Sequence, residues 1–232
     1  PDDGALRTTA EVRYGLSGGL TGVVGGALYD RLGSRHWLAT AGLRSGFAGF
    51  ALKLDLGLAD RAGRAYGLGL ARRVGGFSVT LNHAEYRGPF VDEVRAFSDQ
   101  PLRRVTEVTF NGALALGGEG SSWRIPVNGI ARDIMFADGH ELQSASLTQA
   151  LPLSRSLQLT HLIEFDRTRT PLFGSTSQLR GAFDLASLAR SSFQVRASLG
   201  YALLPAARLT SGAVQLDRRL GERSTVSLTA GR

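Results

Sequence analysis

Leucine recurs at every second residue through 49–58, "GFALKLDLGL". Phe50, Leu52, Leu54, Leu56 and Leu58 share one parity; Ala51, Lys53, Asp55 and Gly57 share the other. Successive side chains of a strand point to opposite faces, so as a strand this segment is apolar on one face and small or charged on the other. Wound as a helix, the same residues would set Lys53 and Asp55 among leucines on every side, with Gly57 in the middle. The pattern continues with Tyr66, Leu68 and Leu70 against Gly67, Gly69 and Ala71, then Phe77, Val79 and Leu81 against Ser78, Thr80 and Asn82. "ADRAGR" and "VGG" between them are turn-forming clusters. The three segments predict an antiparallel meander.

The alternation runs the length of the chain. Leu6, Thr8, Ala10, Val12 and Tyr14 oppose Arg7, Thr9, Glu11 and Arg13. Val108, Phe110, Leu114 and Leu116 oppose Glu107, Thr109 and Asn111. Leu157, Leu159, His161, Ile163 and Phe165 oppose Gln158, Thr160 and Glu164. Leu179, Phe183 and Leu185 oppose Arg180 and Asp184; Phe193, Val195, Ala197, Leu199 and Tyr201 oppose Gln194, Arg196 and Ser198; Val214, Leu216 and Leu220 oppose Gln215, Asp217 and Arg219. "LTGVVGGALYD" and "HWLATAGLRSG" are strand-like but mixed in phase. "SWRIPVNGIARDIMF" changes phase near Asn128–Gly129, where a β-bulge is expected, and Pro126 weakens a regular ladder. About fourteen strands and no helix are expected.

Strands of this length exceed the usual five or six residues and match the nine to eleven that a tilted strand needs to cross a bilayer. Connections add a second pattern. "LSGGL", "SGFAG", "VGG", "LGGEGS" and "LSRS" are short; "DRLGSRH", "DRAGR", residues 88–102 and "DRTRTPLFGSTS" are longer and more charged. Short turns at one end and long loops at the other are the habit of outer-membrane barrels. Aromatics add a third: Tyr14, Tyr29, Trp37, Phe50, Tyr66, Phe77, Tyr86, Trp123, Phe136, Phe165 and Phe193 fall near predicted strand ends, as an aromatic girdle would. The expected fold class is therefore all-β: an antiparallel up-and-down transmembrane β-barrel of about fourteen strands, one domain over 1–232. A soluble β-sandwich shares the alternation and is the competing fold.

Composition narrows this only slightly. The 232 residues are 43% hydrophobic and carry a net charge of +7, with 30 glycines, 7 prolines and no cysteine. No stretch approaches the run of apolar residues that a transmembrane helix needs, which leaves a barrel open. The positive charge is nearly all arginine, Lys53 being the sole lysine, and it is scattered rather than interleaved with aromatics, so no nucleic-acid partner is expected.

Several segments resemble a family. "VRYGLSGGLTGVVGG", through Tyr14, Gly15, Leu16, Thr21, Gly25 and Gly26, looks like a strand pair of the post-plug barrel of outer-membrane ushers of the chaperone–usher pathway. Ala51, Leu52 and Asp55 match a following usher strand, Tyr86 and Arg87 a later strand end, and Leu147, Thr148 and Gln149 a glutamine-bearing strand pair. The resemblance covers about two thirds of the chain; 88–141 does not match, and the family's "YW" after the glutamine strand is missing. It implies a Gram-negative outer-membrane protein that exports pilus subunits, with secreted subunits, their periplasmic chaperone and outer-membrane lipid as partners. The ending "SLTAGR" lacks the terminal aromatic of a complete barrel, so a segment of a larger barrel is expected. The alternatives are the barrel or anchor domain of another large surface protein, or a porin-like passive channel.

No catalytic chemistry is expected. "GLSGG" at 15–19 fits G-x-S-x-G, but a nucleophile elbow needs a helix after the serine, and a strand follows. His36, His83, His140 and His161 are far apart and form no zinc spacing. Asp138–Gly139 is a turn signal rather than part of a calcium loop. No metal and no cofactor are expected. The residues expected to carry function are those of the two faces. Lys53, Asp55, Glu107, Asn111, Glu164, Arg180, Asp184, Arg196 and Asp217 are expected to face a lumen, on a concave side. Leu52, Leu54, Leu56, Leu68, Leu70, Val79, Leu159 and Val195 are expected to face lipid, on a convex side.

Overall fold

The computed structural model describes residues 7–31, 34–88, 90, 101–115, 124–187, 193–219 and 225–231. Fourteen strands follow one another: β1 (Arg7–Ser17), β2 (Leu20–Arg31), β3 (Ser34–Phe47), β4 (Phe50–Ala59), β5 (Arg64–Val74), β6 (Phe77–Arg87), β7 (Leu102–Ala115), β8 (Arg124–Phe136), β9 (Glu141–Pro152), β10 (Leu157–Thr170), β11 (Gly174–Ser187), β12 (Phe193–Leu204), β13 (Arg208–Arg219) and β14 (Thr225–Gly231). Their order in the sheet is their order in the chain, β1 to β14, as in an up-and-down meander. The first and last strands each have one hydrogen-bonded neighbour. A tight connection over 60–63 joins β4 to β5, with Arg61 and Ala62 at positive φ of 58° and 62°. No helix among the described residues is long and apolar enough to cross a membrane, which says nothing of crossing by strands. Leu116, Trp123 and Leu220 lie outside the described residues.

By contacts the chain forms two compact units. One comprises Pro1–Val74, Ser78–Val108 and Arg132–Glu141; the other comprises Gly75–Phe77, Thr109–Ala131 and Leu142–Arg232. In the first, β1–β5 pair antiparallel in a nearly unbroken register; the one shift lies between Gly15 and Ser17 of β1. One row runs Tyr14, Gly22, Leu43, Leu54, Leu68; the next runs Arg13, Val23, Gly42, Asp55, Gly67. Directly opposed residues share a face, so the first row is apolar or glycine and the second carries the charge. In the second unit β10–β14 pair antiparallel, with register shifts between Leu179 and Arg180 and between Gly200 and Tyr201.

The connections correct the alternation of short and long expected from the sequence. It holds only in part at first: Gly18–Gly19, Ala48–Gly49 and Gly75–Gly76 are two-residue turns and the opposite ends of these hairpins include 60–63 and 88–101, but "DRLGSRH" is mostly strand, since β2 runs to Arg31 and β3 begins at Ser34. Gly75 and Gly76 both take positive φ, 55° and 87°, the conformation that lets a two-residue loop follow the twist of its strands. The pattern then fails. "DRTRTPLFGSTS" is mostly strand, because β10 runs on to Thr170 and β11 begins at Gly174, leaving only Pro171–Phe173 as the turn. "LGGEGS" falls in 116–123, outside the described residues. Charge density misled here: Asp166 continues the polar face of β10 beside Glu164, while Arg167 and Arg169 stand on the other face near the strand end, opposite Ser177 and Ser175.

Little of either face is covered among the described residues. Among the described residues only Ala59 and Val127 are buried hydrophobics, and no polar residue is buried. The chain exposes 16122 Å². A folded soluble monomer of 24.7 kDa exposes about 10,000 Å². Two packed layers that bury these leucines, the arrangement of a soluble sandwich, are absent from the described residues.

Candidate functional site

The site of interest is a pair of faces, one apolar and one polar, made by the same strands. On β4 the apolar face carries Leu54, Leu56 and Leu58, which are 40%, 55% and 52% exposed. Leu52 lies opposite Leu70, Leu54 opposite Leu68, and Leu56 opposite Tyr66. Val79 is also an exposed large hydrophobic. In the second unit Leu159 opposes Leu185, which opposes Ala197, and Val195 opposes Leu216.

β3 gives this face a dimension. Its apolar-face residues run from Trp37 through Ala39, Ala41, Leu43 and Ser45 to Phe47, and both terminal rings are exposed. Ten residues of strand are about 33 Å long. Tilted as barrel strands are, they stand about 25 Å high, the height of the apolar band on a barrel's lipid side. Phe47 lies opposite Phe50, whose ring is covered by the Arg72 guanidinium at 4.3 Å. Not every aromatic marks a strand end: Phe165 lies inside β10, whereas Tyr29, near the end of β2, lies opposite His36 and stacks on it with centroids 5.6 Å apart.

The polar face is laced with ion pairs. Asp55 binds Arg44 at 2.6 Å and Lys53 at 3.1 Å. A second Arg44 nitrogen donates to the Leu54 carbonyl at 3.0 Å. Gly42 faces this knot: a Cβ there would press on the Asp55 carboxylate and the Arg44 guanidinium. Gly67 and Gly69 leave β5 bare beside Lys53, Asp55 and Asn82, and these residues with Glu107 and Phe90 line a trough of about 490 Å³. Glu107 accepts from Arg132 at 2.6 Å. In the second unit Glu164 accepts from Arg180 at 2.8 Å, and Asp166 lies 3.7 Å from the same guanidinium. Asp184 sits between Thr160 and Ser198, and Arg196 opposite Gln215. The Gln215 amide donates to both Asp217 oxygens at 3.1 and 3.0 Å. Asn111 is exposed on β7. The structure thus brings together Lys53 with Asp55, Arg180 with Glu164 and Arg196 with Asp217, and sets Glu107 in the same trough as Lys53 and Asp55, while Arg44 and Arg132 join as partners the sequence did not single out. Arg44 and Arg132 are the chief omissions. Their strands are mixed in phase, so parity gave no signal.

The apolar face of the second unit holds a polar exception. His161 stacks on Phe183 with centroids 4.1 Å apart and planes 5° from parallel. Its Nε2 lies 2.8 Å from the Tyr201 hydroxyl. Tyr201 lies opposite Gly181, where any Cβ would meet the phenol ring. Ser17, the serine of G-x-S-x-G, ends β1, and β2 begins at Leu20, so a strand follows the turn. No group of three or more His, Asp or Glu suited to a metal ion occurs among the described residues.

No family model and no curated protein sequence matches this chain. Solved structures with which it shares a fold-level likeness include the siderophore receptor PirA from Pseudomonas aeruginosa. That likeness has 12% identity and a TM-score of 0.47, covering 97% of this chain and 51% of the receptor. A bacterial polysaccharide outer membrane secretin is similar at 14% identity and a TM-score of 0.43, with 98% and 82% covered. OmpT, an outer membrane protein of Vibrio cholerae, is similar at 10% identity and a TM-score of 0.39, with 99% and 88% covered. The chain spans about half the length of the receptor.

Proposed function

We propose that this chain is part of the wall of an outer-membrane β-barrel of a Gram-negative bacterium, with its leucine face in lipid and its ion-paired face toward an aqueous lumen. The observation that carries this reading is the uncovered apolar face of β3–β5, bounded by Trp37 at one end and Phe47 with Phe50 at the other. Water tolerates such a face poorly over this area, and a bilayer accepts it. The polar face suits the opposite side: its charges are paired across neighbouring strands and stand in water rather than in a core.

Within that reading we assign the lumen to protein export of the usher kind. The support is the resemblance of Tyr14–Leu16, Thr21, Gly25–Gly26, Ala51–Leu52, Asp55 and Leu147–Gln149 to usher strands. The partners are then pilus subunits delivered by a periplasmic chaperone. Two experiments test the two levels. Heat-modifiable gel migration after extraction with detergent tests the barrel; a chain that is water-soluble and migrates identically before and after boiling is not one. Site-specific photo-crosslinking from position 53 or 107 to a chaperone–subunit complex tests export. A barrel that inserts but gives no crosslink is an anchor or a passive channel instead.

A further inference from the structure

At one end of the β5–β6 hairpin the apolar face stops being apolar. The two-residue turn Gly75–Gly76 sets the pairing by count: Leu68 stands opposite His83, Tyr66 opposite Glu85, and Arg64 opposite Arg87. Two observations agree with that count. Gly69 lies beside Asn82, and the Arg87 guanidinium lies 5.9 Å from the centre of the Tyr66 ring. From the strand ends inward, this face therefore reads arginine–arginine, tyrosine–glutamate, leucine–histidine.

Like charges directly opposite each other on a sheet repel, and little among the described residues relieves this pair. Arg87 is 72% exposed at the side chain, and among the described residues the carboxylate it reaches is Glu85, at 3.8 Å. Glu85 is shared with His83, 3.7 Å away, whose Nδ1 is engaged by the Thr106 hydroxyl at 2.8 Å. Arg64 is exposed and makes no ion pair with a described residue. The neighbouring Arg104 is occupied, held by Asp133 at 2.7 Å. Among the described residues, Arg87 thus has one loosely held carboxylate and Arg64 none, beside exposed Tyr66 and Leu68.

We propose that Arg64 and Arg87 together bind the phosphate of a lipid headgroup. Guanidinium forks match phosphate oxygens in pairs. A phosphate between the two would cancel their repulsion, and the acyl chains below it would lie against Tyr66, Leu68 and the β4 leucines. The proposal rests on the membrane reading above, which supplies the lipid at this face.

The test uses the whole chain folded into phosphatidylethanolamine vesicles doped with lipid A, either bearing its phosphates or enzymatically dephosphorylated. The readout is the temperature at which the heat-modifiable gel form is lost. We expect a higher temperature with phosphorylated lipid A, no such rise when inorganic phosphate is added to the dephosphorylated vesicles, and loss of the rise in the double variant Arg64→Gln, Arg87→Gln. If that variant does not fold, Arg87→Lys keeps the charge without the fork, and its rise should be reduced. Equal temperatures in the two vesicles, or a rise retained by the variants, overturns the proposal while leaving the barrel intact. A rise produced by inorganic phosphate alone makes this a free-anion site and overturns the lipid assignment. Failure of the wild-type chain to insert overturns the membrane reading and this proposal with it.

Discussion

Strands β3–β5 and β10–β12 obey the same alternation, yet their apolar faces are built on different principles. In β3–β5 the face is aliphatic, with Leu43 opposite Leu54 and Leu54 opposite Leu68, and each is substantially exposed. These side chains contribute little packing to one another; their favourable environment has to come from outside the protein. In β10–β12 the face is aromatic and packs on itself. His161 lies flat on Phe183, its nitrogen meets the Tyr201 hydroxyl, and the Tyr201 ring fills the place of the side chain that Gly181 lacks. The first region is specified by its surroundings and tolerates any apolar side chain. The second is specified by shape and tolerates few.

The largest expected effect tests the first region. An arginine on the lipid side near the midplane costs about 2–4 kcal/mol, so Leu54→Arg should block assembly, as seen in heat-modifiable migration. Asp55→Arg loses the half-exposed ion pairs with Arg44 and Lys53, each about 0–1 kcal/mol, and sets a third cation beside them on a face that water screens, so it should still assemble. Equal assembly of the two variants would erase the distinction between the faces.

Next in size is a shape change in the second region. Gly181→Val drives a branched side chain into the Tyr201 ring and should lower stability by about 1–3 kcal/mol, the usual penalty of overpacking, measured as the urea midpoint in detergent micelles. Adding Tyr201→Ala should recover part of that loss. A Gly181→Val midpoint equal to wild type would show that the ring does not depend on the glycine.

Volume-conserving swaps sharpen the contrast. Leu56→Met should change the midpoint by less than about 1 kcal/mol. Phe183→Leu should cost more, because it also removes the stacked ring, worth about 0.5–1.5 kcal/mol beyond its area. Were Leu56→Met the costlier of the two, the aliphatic face would be packed after all.

The smallest effect isolates the hydrogen bond. His161→Phe keeps a ring against Phe183 but leaves the Tyr201 hydroxyl without its partner, a loss of about 1 kcal/mol. Tyr201→Phe added to it should cost nothing further and recover part of the loss. A double-mutant cycle gives the coupling directly; a value of zero would mean that the contact contributes nothing.

Most of the secondary structure was legible in the chain. Parity in 50–58, 66–71 and 77–82 marked β4, β5 and β6, because period-two alternation is a local property of any strand with two unlike surroundings. The misjudged connections came from charge: Asp166, Arg167 and Arg169 looked like a loop, whereas β10 continues through them. The candidate site was only half legible. Lys53 and Asp55, two residues apart on one strand, share a face by arithmetic. Arg44 joins them only because β3 and β4 pair with Leu43 opposite Leu54.

The sequence by itself determined that the strands have one apolar and one polar face, since each residue's face depends only on its count along its own strand. It also determined the Gly75–Gly76 turn, because two consecutive positive φ angles are cheap only where no Cβ intervenes. The tertiary structure alone decided which residues meet across strands: Arg44 with Asp55, Glu107 with Arg132, His161 with Tyr201, and Gly181 with the Tyr201 ring. Those meetings depend on register, and a slip of one residue in any hairpin would send every side chain of the strand to the other face without altering its alternation.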